Sequence, residues 1–126
     1  MRQLDSLVEQ ARRASLPVEV VIDGSPKPLP PGVDLSVYRI VQEGLTNVRK
    51  HAGAARARVE LRYGDGQLDV AVLDDGDGPA NGTKPGHGLV GIRERVALLG
   101  GELRAGKRNE GGYELRAHLP LDRVSG

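Results

Sequence analysis

The chain has 126 residues, 18 basic against 17 acidic side chains and a net charge of +1, so it is the size of one domain and lacks the basic excess of a dedicated nucleic-acid binder. It has no cysteine, which excludes a disulfide frame and a zinc–cysteine site, and no apolar run near the roughly 20 residues of a membrane helix. Hydrophobic residues make up 38%, with no Phe or Trp, so Leu, Val, Ile and Ala must fill the interior. The N-terminus has no apolar signal core, and the expectation is a soluble, cytoplasmic chain.

In chain order, "LDSLVEQARRAS" places Leu4, Leu7, Val8 and Ala11 at helical spacing and predicts a short amphipathic helix. "PVEVVIDG", from Pro17 to Gly24, reads as a strand. A Pro-rich connector follows, and its last proline, Pro31, suits the first turn of a long helix from about Val33 to about Ala52. Asp34 there complements the helix dipole. "RARVELRYG" sends Val59, Leu61 and Tyr63 one way and Arg56, Arg58, Glu60 and Arg62 the other. A Gly-Asp-Gly turn at 64–66 predicts a hairpin with "QLDVAVLDDG". There Leu68, Val70, Val72 and Asp74 share a face. "DGDGPANGTKPGHG" has no periodicity, and a loop that long in a compact domain is functional or disordered. "LVGIRERVALLGG" predicts a helix with Leu89, Ile92, Val96 and Leu99 on one side. "GELRAGKR" and "YELRAHLP" read as a closing pair of strands. Hairpin strands and one-sided helices predict an α+β fold, a sheet covered on one face by helices.

Three segments carry chemistry. On the long helix Val37, Val41, Leu45, Val48 and Ala52 form the core stripe, and Glu43, Asn47 and His51 form a second stripe with Lys50 beside it. A solvated face would explain charges alone, but Asn is a poor residue inside a helix. Glu and Asn one turn apart offer two oxygen ligands to a hard cation such as magnesium, and Lys50 then faces phosphate. Asp74 lies on the apolar side of its strand, which is costly unless it accepts from a donor such as a purine amine. Gly76 and Gly78 would let the backbone approach a flat ring. Alternatively this is a polar strand end with a tight turn; a calcium loop would need a closing Glu where Gly86 stands. "GHGLVG" (86–91) fits Gly-x-Gly-x-x-Gly, yet no strand precedes it and too little chain follows for a dinucleotide fold. What remains is glycine-freed backbone N–H groups at a helix start, suited to phosphate.

Taken together, "QEGLTNVRKHA", "DDGDG" and "GHGLVGIRERVALLGG" closely resemble the N, G1 and G2 boxes of sensor histidine kinases. They are similar to the catalytic ATP-binding domain of the GHKL superfamily, in the subclass of nitrate sensors and desaturase-regulating thermosensors. The resemblance runs from Leu16 to Pro120. It implies a two-layer fold, a mixed, mainly antiparallel sheet covered by three helices, and ATP with magnesium as cofactors. Asn47 would be the magnesium ligand, with Glu43 beside it at the position of a general base. Lys50 and His51 would line phosphates and sugar. Asp74 would bind the adenine amino group, with Gly76 and Gly78 completing that box. Gly86, His87, Gly88, Leu89 and Gly91 would wrap the triphosphate, with residues 79–87 as the lid.

The implied function is phosphoryl transfer from ATP to a His on a separate dimerisation domain, with a response regulator downstream, no nucleic acid and no membrane contact by this domain. The full-length protein could still carry a membrane anchor. Residues 1–15 would form a helix leading into or belonging to the domain, 16–121 the catalytic domain and 122–126 a tail. Two departures stand out. Tyr113 occupies the place where many relatives have Thr, and none of His51, His87 and His118 is followed by the acidic residue that flanks the acceptor His of this subclass. An anti-sigma-type serine kinase or another GHKL ATPase would share the boxes, and a non-catalytic nucleotide-sensing module is the reading from another class.

Overall fold

The chain's computed structural model describes residues 2–26, 28–51, 56–75, 88–108 and 111–121. Helix α1 spans Arg2–Arg13, strand β1 Val18–Asp23, helix α2 Pro31–His51, strands β2 Ala57–Gly64 and β3 Gln67–Asp74, helix α3 Gly88–Leu98, and strands β4 Glu102–Lys107 and β5 Tyr113–Pro120. The five strands form one sheet in the order β1-β2-β3-β5-β4. β1 runs parallel to β2, and the other neighbours are antiparallel. Among the described residues the three helices lie over one face, so the architecture is the expected mixed α+β sandwich.

Hydrophobic spacing explains the layers. Leu4, Leu7, Val8 and Ala11 bury the inner stripe of α1. α2 buries Val33, Val37, Ile40, Val41, Leu45 and Val48, and α3 buries Leu89, Ile92 and Val96. They meet Val59 and Leu61 of β2, Leu68, Val70 and Val72 of β3, and Leu115, Ala117 and Leu119 of β5 in one core. Each fully buried aliphatic contributes about 1.5–3 kcal/mol relative to exposure. Two helices end on the same device. After α1, Ser15 has φ 70, Leu16 N–H reaches Ala11 O at 3.0 Å and Ser15 N–H reaches Arg12 O at 3.0 Å. After α3, Gly100 has φ 84, with matching bonds from Gly101 to Val96 O and from Gly100 to Ala97 O, both 2.9 Å. Both are Schellman caps, which satisfy the last carbonyls through a left-handed residue.

The other sheet face is open and charged. Arg58 pairs with Glu19 at 3.1 Å and with Glu60 at 3.5 Å, Arg62 approaches Glu60 at 3.7 Å, and His118 Nδ1 lies 2.7 Å from Asp69. Leu73 and Ala71 point to this face and are still buried. The register sets Leu73 between Arg58 and Glu114 and Ala71 between Glu60 and Arg116, so long charged side chains flank both. Glu60, expected on the polar face, is there but buried between its two arginines.

Candidate functional site

The candidate residues converge because of the way α2 runs. A Cβ placed on Gly32, at the start of α2, would lie 3.5 Å from Leu99 Cδ2. Gly100 and Gly101, which follow, rest beside Pro120 and the carbonyl of His118. Pro120 pairs with Gln67, so this is the end of the sheet where β3 begins. Further along α2, Gly44 sits on Val72, with a Cβ there only 2.7–2.9 Å from three Val72 carbons. α2 therefore follows β3 in the same direction, and Asn47 lies one turn beyond that contact, toward Asp74. α3 ends where β3 begins, so its first residue, Gly88, points to the same end as Asp74.

Asp74 is the last residue of β3 and 4% exposed. Period-two alternation puts it on the helix side with Val72 and Val70, as expected. Several contacts hold this strand end. Arg108 Nη1 donates to Asp74 O at 3.0 Å, and Arg108 N–H donates to Gly112 O at 3.0 Å. Gly112, at φ 90, packs directly on the Asp74 carbonyl, where any Cβ would collide with it. The next residue, Asp75, accepts from Arg56 N–H at 3.0 Å and pairs with its side chain at 3.7 Å. Arg108, Gly112 and Asp75, which clamp this strand end, are positions that motif reasoning did not single out. The Gly-Gly pair before β5 was their one visible signal.

Glu43 and Asn47 are partly buried, unlike Arg39 on the outer side of α2, so they do not form a fully wet stripe. Neither side chain has a hydrogen-bond or ion-pair partner among the described residues. Two hard oxygen donors with spare acceptor capacity fit magnesium, which takes few protein ligands and completes its shell from phosphate and water. Among the described residues there is no cluster of three or more His, Cys, Asp or Glu that would hold a metal without phosphate. Leu89 is buried and anchors the first turn of α3, and Gly91 is exposed with open space around it. Gly76, Gly78, Gly86 and His87 lie outside the described residues, as do the side chains of Lys50 and His51. A groove of about 300 Å³ on the open sheet face, lined by Arg62, Asp69, Arg116 and His118, faces away from all of these candidates.

The family described as histidine kinase-, DNA gyrase B-, and HSP90-like ATPase matches residues 32–123. The chain is 35% identical over 120 residues to the sensor histidine kinase YxjM of Bacillus subtilis, covering 94% of this chain and 29% of that protein. It is 30% identical over 112 residues to the nitrate/nitrite sensor protein NarX of Escherichia coli, covering 87% of this chain and 19% of that protein. Among solved structures, the histidine kinase domain of the Erythrobacter litoralis EL346 blue-light activated histidine kinase superposes with a TM-score of 0.70 at 26% identity. That match covers 95% of this chain and 58% of that one. The chain spans less than a third of the length of these curated relatives. No helix among the described residues is long and apolar enough to cross a membrane.

Proposed function

We propose that this chain, which belongs to the histidine kinase-, DNA gyrase B-, and HSP90-like ATPase family, is the ATP-binding catalytic domain of a two-component sensor histidine kinase. In that role it gives the γ-phosphoryl group of ATP to a His imidazole on a separate dimerisation domain, and a response regulator acts downstream. The observation that carries the reading is the convergence of Asp74, Asn47, Glu43 and the start of α3 at one end of the helix-covered face. Residues 16–121 form the catalytic domain on this reading, with the helix at 1–15 leading into it and 122–126 as a tail. The domain itself works in the cytoplasm without touching nucleic acid or membrane.

The residues divide the work. Asp74 accepts from the adenine amino group, and its clamped strand end holds that acceptor in place. The N-terminus of α3 presents backbone N–H groups to the phosphates, where the helix dipole favours negative charge. Asn47 and Glu43 would hold magnesium, which when bound neutralises charge across the phosphates. Lys50 and His51, next along the same helix, would serve phosphate and sugar on this reading. Transfer forms one bond from the imidazole nitrogen to phosphorus and breaks the bond to the bridging oxygen, releasing ADP. The protein supplies position and charge more than covalent chemistry. Glu43 is the carboxylate one turn from Asn47 that can accept the proton the imidazole gives up.

The test is incubation with γ-labelled ATP, alone and with a His-containing dimerisation domain supplied in trans. Acid-labile phosphate should collect on the acceptor domain and not on this chain. Acid-labile label on the 126-residue chain itself would overturn the reading.

A further inference from the structure

The open sheet face, away from the helices and from the candidate nucleotide end, carries a ladder of matched charges. Across neighbouring strands Glu19 stands opposite Arg58, Asp23 opposite Arg62, Arg62 opposite Asp69 and Asp69 opposite His118. Among the described residues one directly opposed pair on this face breaks the pattern: Arg104 of β4 and Arg116 of β5. Alternation puts both on the open side, because Leu103, Leu115 and Ala117 are buried on the helix side. Opposed residues have Cβ atoms about 4.5–5.5 Å apart, and like charges so placed destabilise a sheet. Both arginines are exposed. Arg116 donates from Nε to Glu114 at 3.0 Å, which leaves the far side of its guanidinium. Arg104 has no hydrogen bond or ion pair among the described residues. The acids around them are committed elsewhere, Glu60 to Arg58 and Arg62 and Asp69 to His118. On the other side of Arg116 stands Ala71, a short side chain, and the groove of about 300 Å³ opens over it.

We propose that Arg104 and Arg116 form a carboxylate clamp on which an acidic side chain of a partner protein docks, its tip entering the groove beside Ala71. The clamp does not depend on nucleotide binding. A like-charged pair that costs the free chain stability is relieved when an anion bridges it, and a break in local charge logic is where function is expected. The planar guanidinium fork matches a carboxylate and gives short, charge-assisted hydrogen bonds. The occupant is a monoanion, because Glu60, Asp69 and Glu102 line the same groove and repel the second charge of a phosphate. It is carried by a polypeptide, because a groove lying open on a sheet encloses a side-chain tip, whereas a small-molecule site buries roughly 70–90% of its ligand.

The test titrates the whole chain with an acetylated, amidated Gly-Ser-Glu-Ser-Gly peptide and follows the guanidinium Nε–Hε resonances of Arg104 and Arg116 by NMR. The same peptide with Gln in place of Glu, and inorganic phosphate at matched ionic strength, are the comparisons. The glutamate peptide should shift both arginines saturably, and more tightly at low salt, while the glutamine peptide and phosphate leave them in place. Arg104→Gln should weaken the glutamate peptide roughly three- to tenfold, leave magnesium-ATP binding unchanged and raise the urea midpoint of the free chain, because the like-charged neighbour is gone. Arg104→Lys keeps the charge and loses the fork, so it should keep the wild-type midpoint and still bind the peptide less tightly. No shift with the glutamate peptide, an equal shift with the glutamine peptide, or a lower midpoint for Arg104→Gln overturns the clamp. A larger shift with phosphate than with the glutamate peptide overturns the docking role and makes the pair a phosphate site.

Discussion

Alanine at Gly44 sets two opposed effects against each other on the helix that carries Asn47. In an exposed helix Gly→Ala stabilises by about 0.5–1 kcal/mol through backbone entropy. Here the new Cβ would lie 2.7, 2.8 and 2.9 Å from the Cβ, Cγ2 and Cγ1 of Val72. Carbon atoms prefer about 3.5–4.0 Å, so α2 must lift or Val72 must move. Val72 is 2% exposed, paired with Val59 on one side and Leu115 on the other, and β-branched, so its rotamer is stiff. Overpacking of this kind costs about 1–3 kcal/mol, which exceeds the helix gain. The expected net loss is about 1–2 kcal/mol. That lowers Tm by about 3–5 °C for each kcal/mol in a domain of this size. Urea unfolding of Gly44→Ala, Val72→Ala and the double variant measures it. The double variant should recover part of the loss, because both γ carbons are gone, with a coupling energy above about 0.5 kcal/mol. Magnesium-ATP binding should weaken as well, since Asn47 stands one turn beyond the displaced contact. A Gly44→Ala protein more stable than wild type would refute the close approach of α2 to β3.

Ser15→Gly should raise stability by about 0.5–1 kcal/mol, because Ser15 holds φ 70 at the α1 cap where Gly100 serves α3; an unchanged urea midpoint would contradict the strained cap. Ser36→Ala should stabilise by about 1 kcal/mol, since the buried Ser36 Oγ has no partner among the described residues; destabilisation would reveal a bond to that hydroxyl. Asn47→Ala should abolish transfer to a supplied acceptor domain while leaving most adenine affinity and the melting temperature in place, and near-normal transfer would show that Glu43 and Asn47 are only surface.

Local pattern determined which residues form helices and strands and which way each side chain faces. The stripe of Leu4, Leu7, Val8 and Ala11 needs only its own spacing, and so does the placing of Asp74 on the apolar side of β3, because 3.6- and 2-residue periods are properties of the backbone. The three glycine- and Asn-bearing segments stood out by the same local logic, since their residue types are unusual where they stand. Tertiary structure decided the rest. The parallel pairing of β1 with β2 and the insertion of β5 between β3 and β4 depend on contacts between segments far apart in sequence, which no window of residues encodes. Ser36 and Ile40, outside the narrow stripe read from α2, are fully buried because α2 is embraced by α1, α3 and the sheet together. Leu73 and Ala71 are buried on the open face, where the register flanks them with Arg58, Glu114, Glu60 and Arg116 of neighbouring strands. The site follows the same rule: Asp74, Asn47 and Gly88 belong to three elements. They share one end of the fold because Gly44 seats α2 along β3, which is a packing outcome of the whole core.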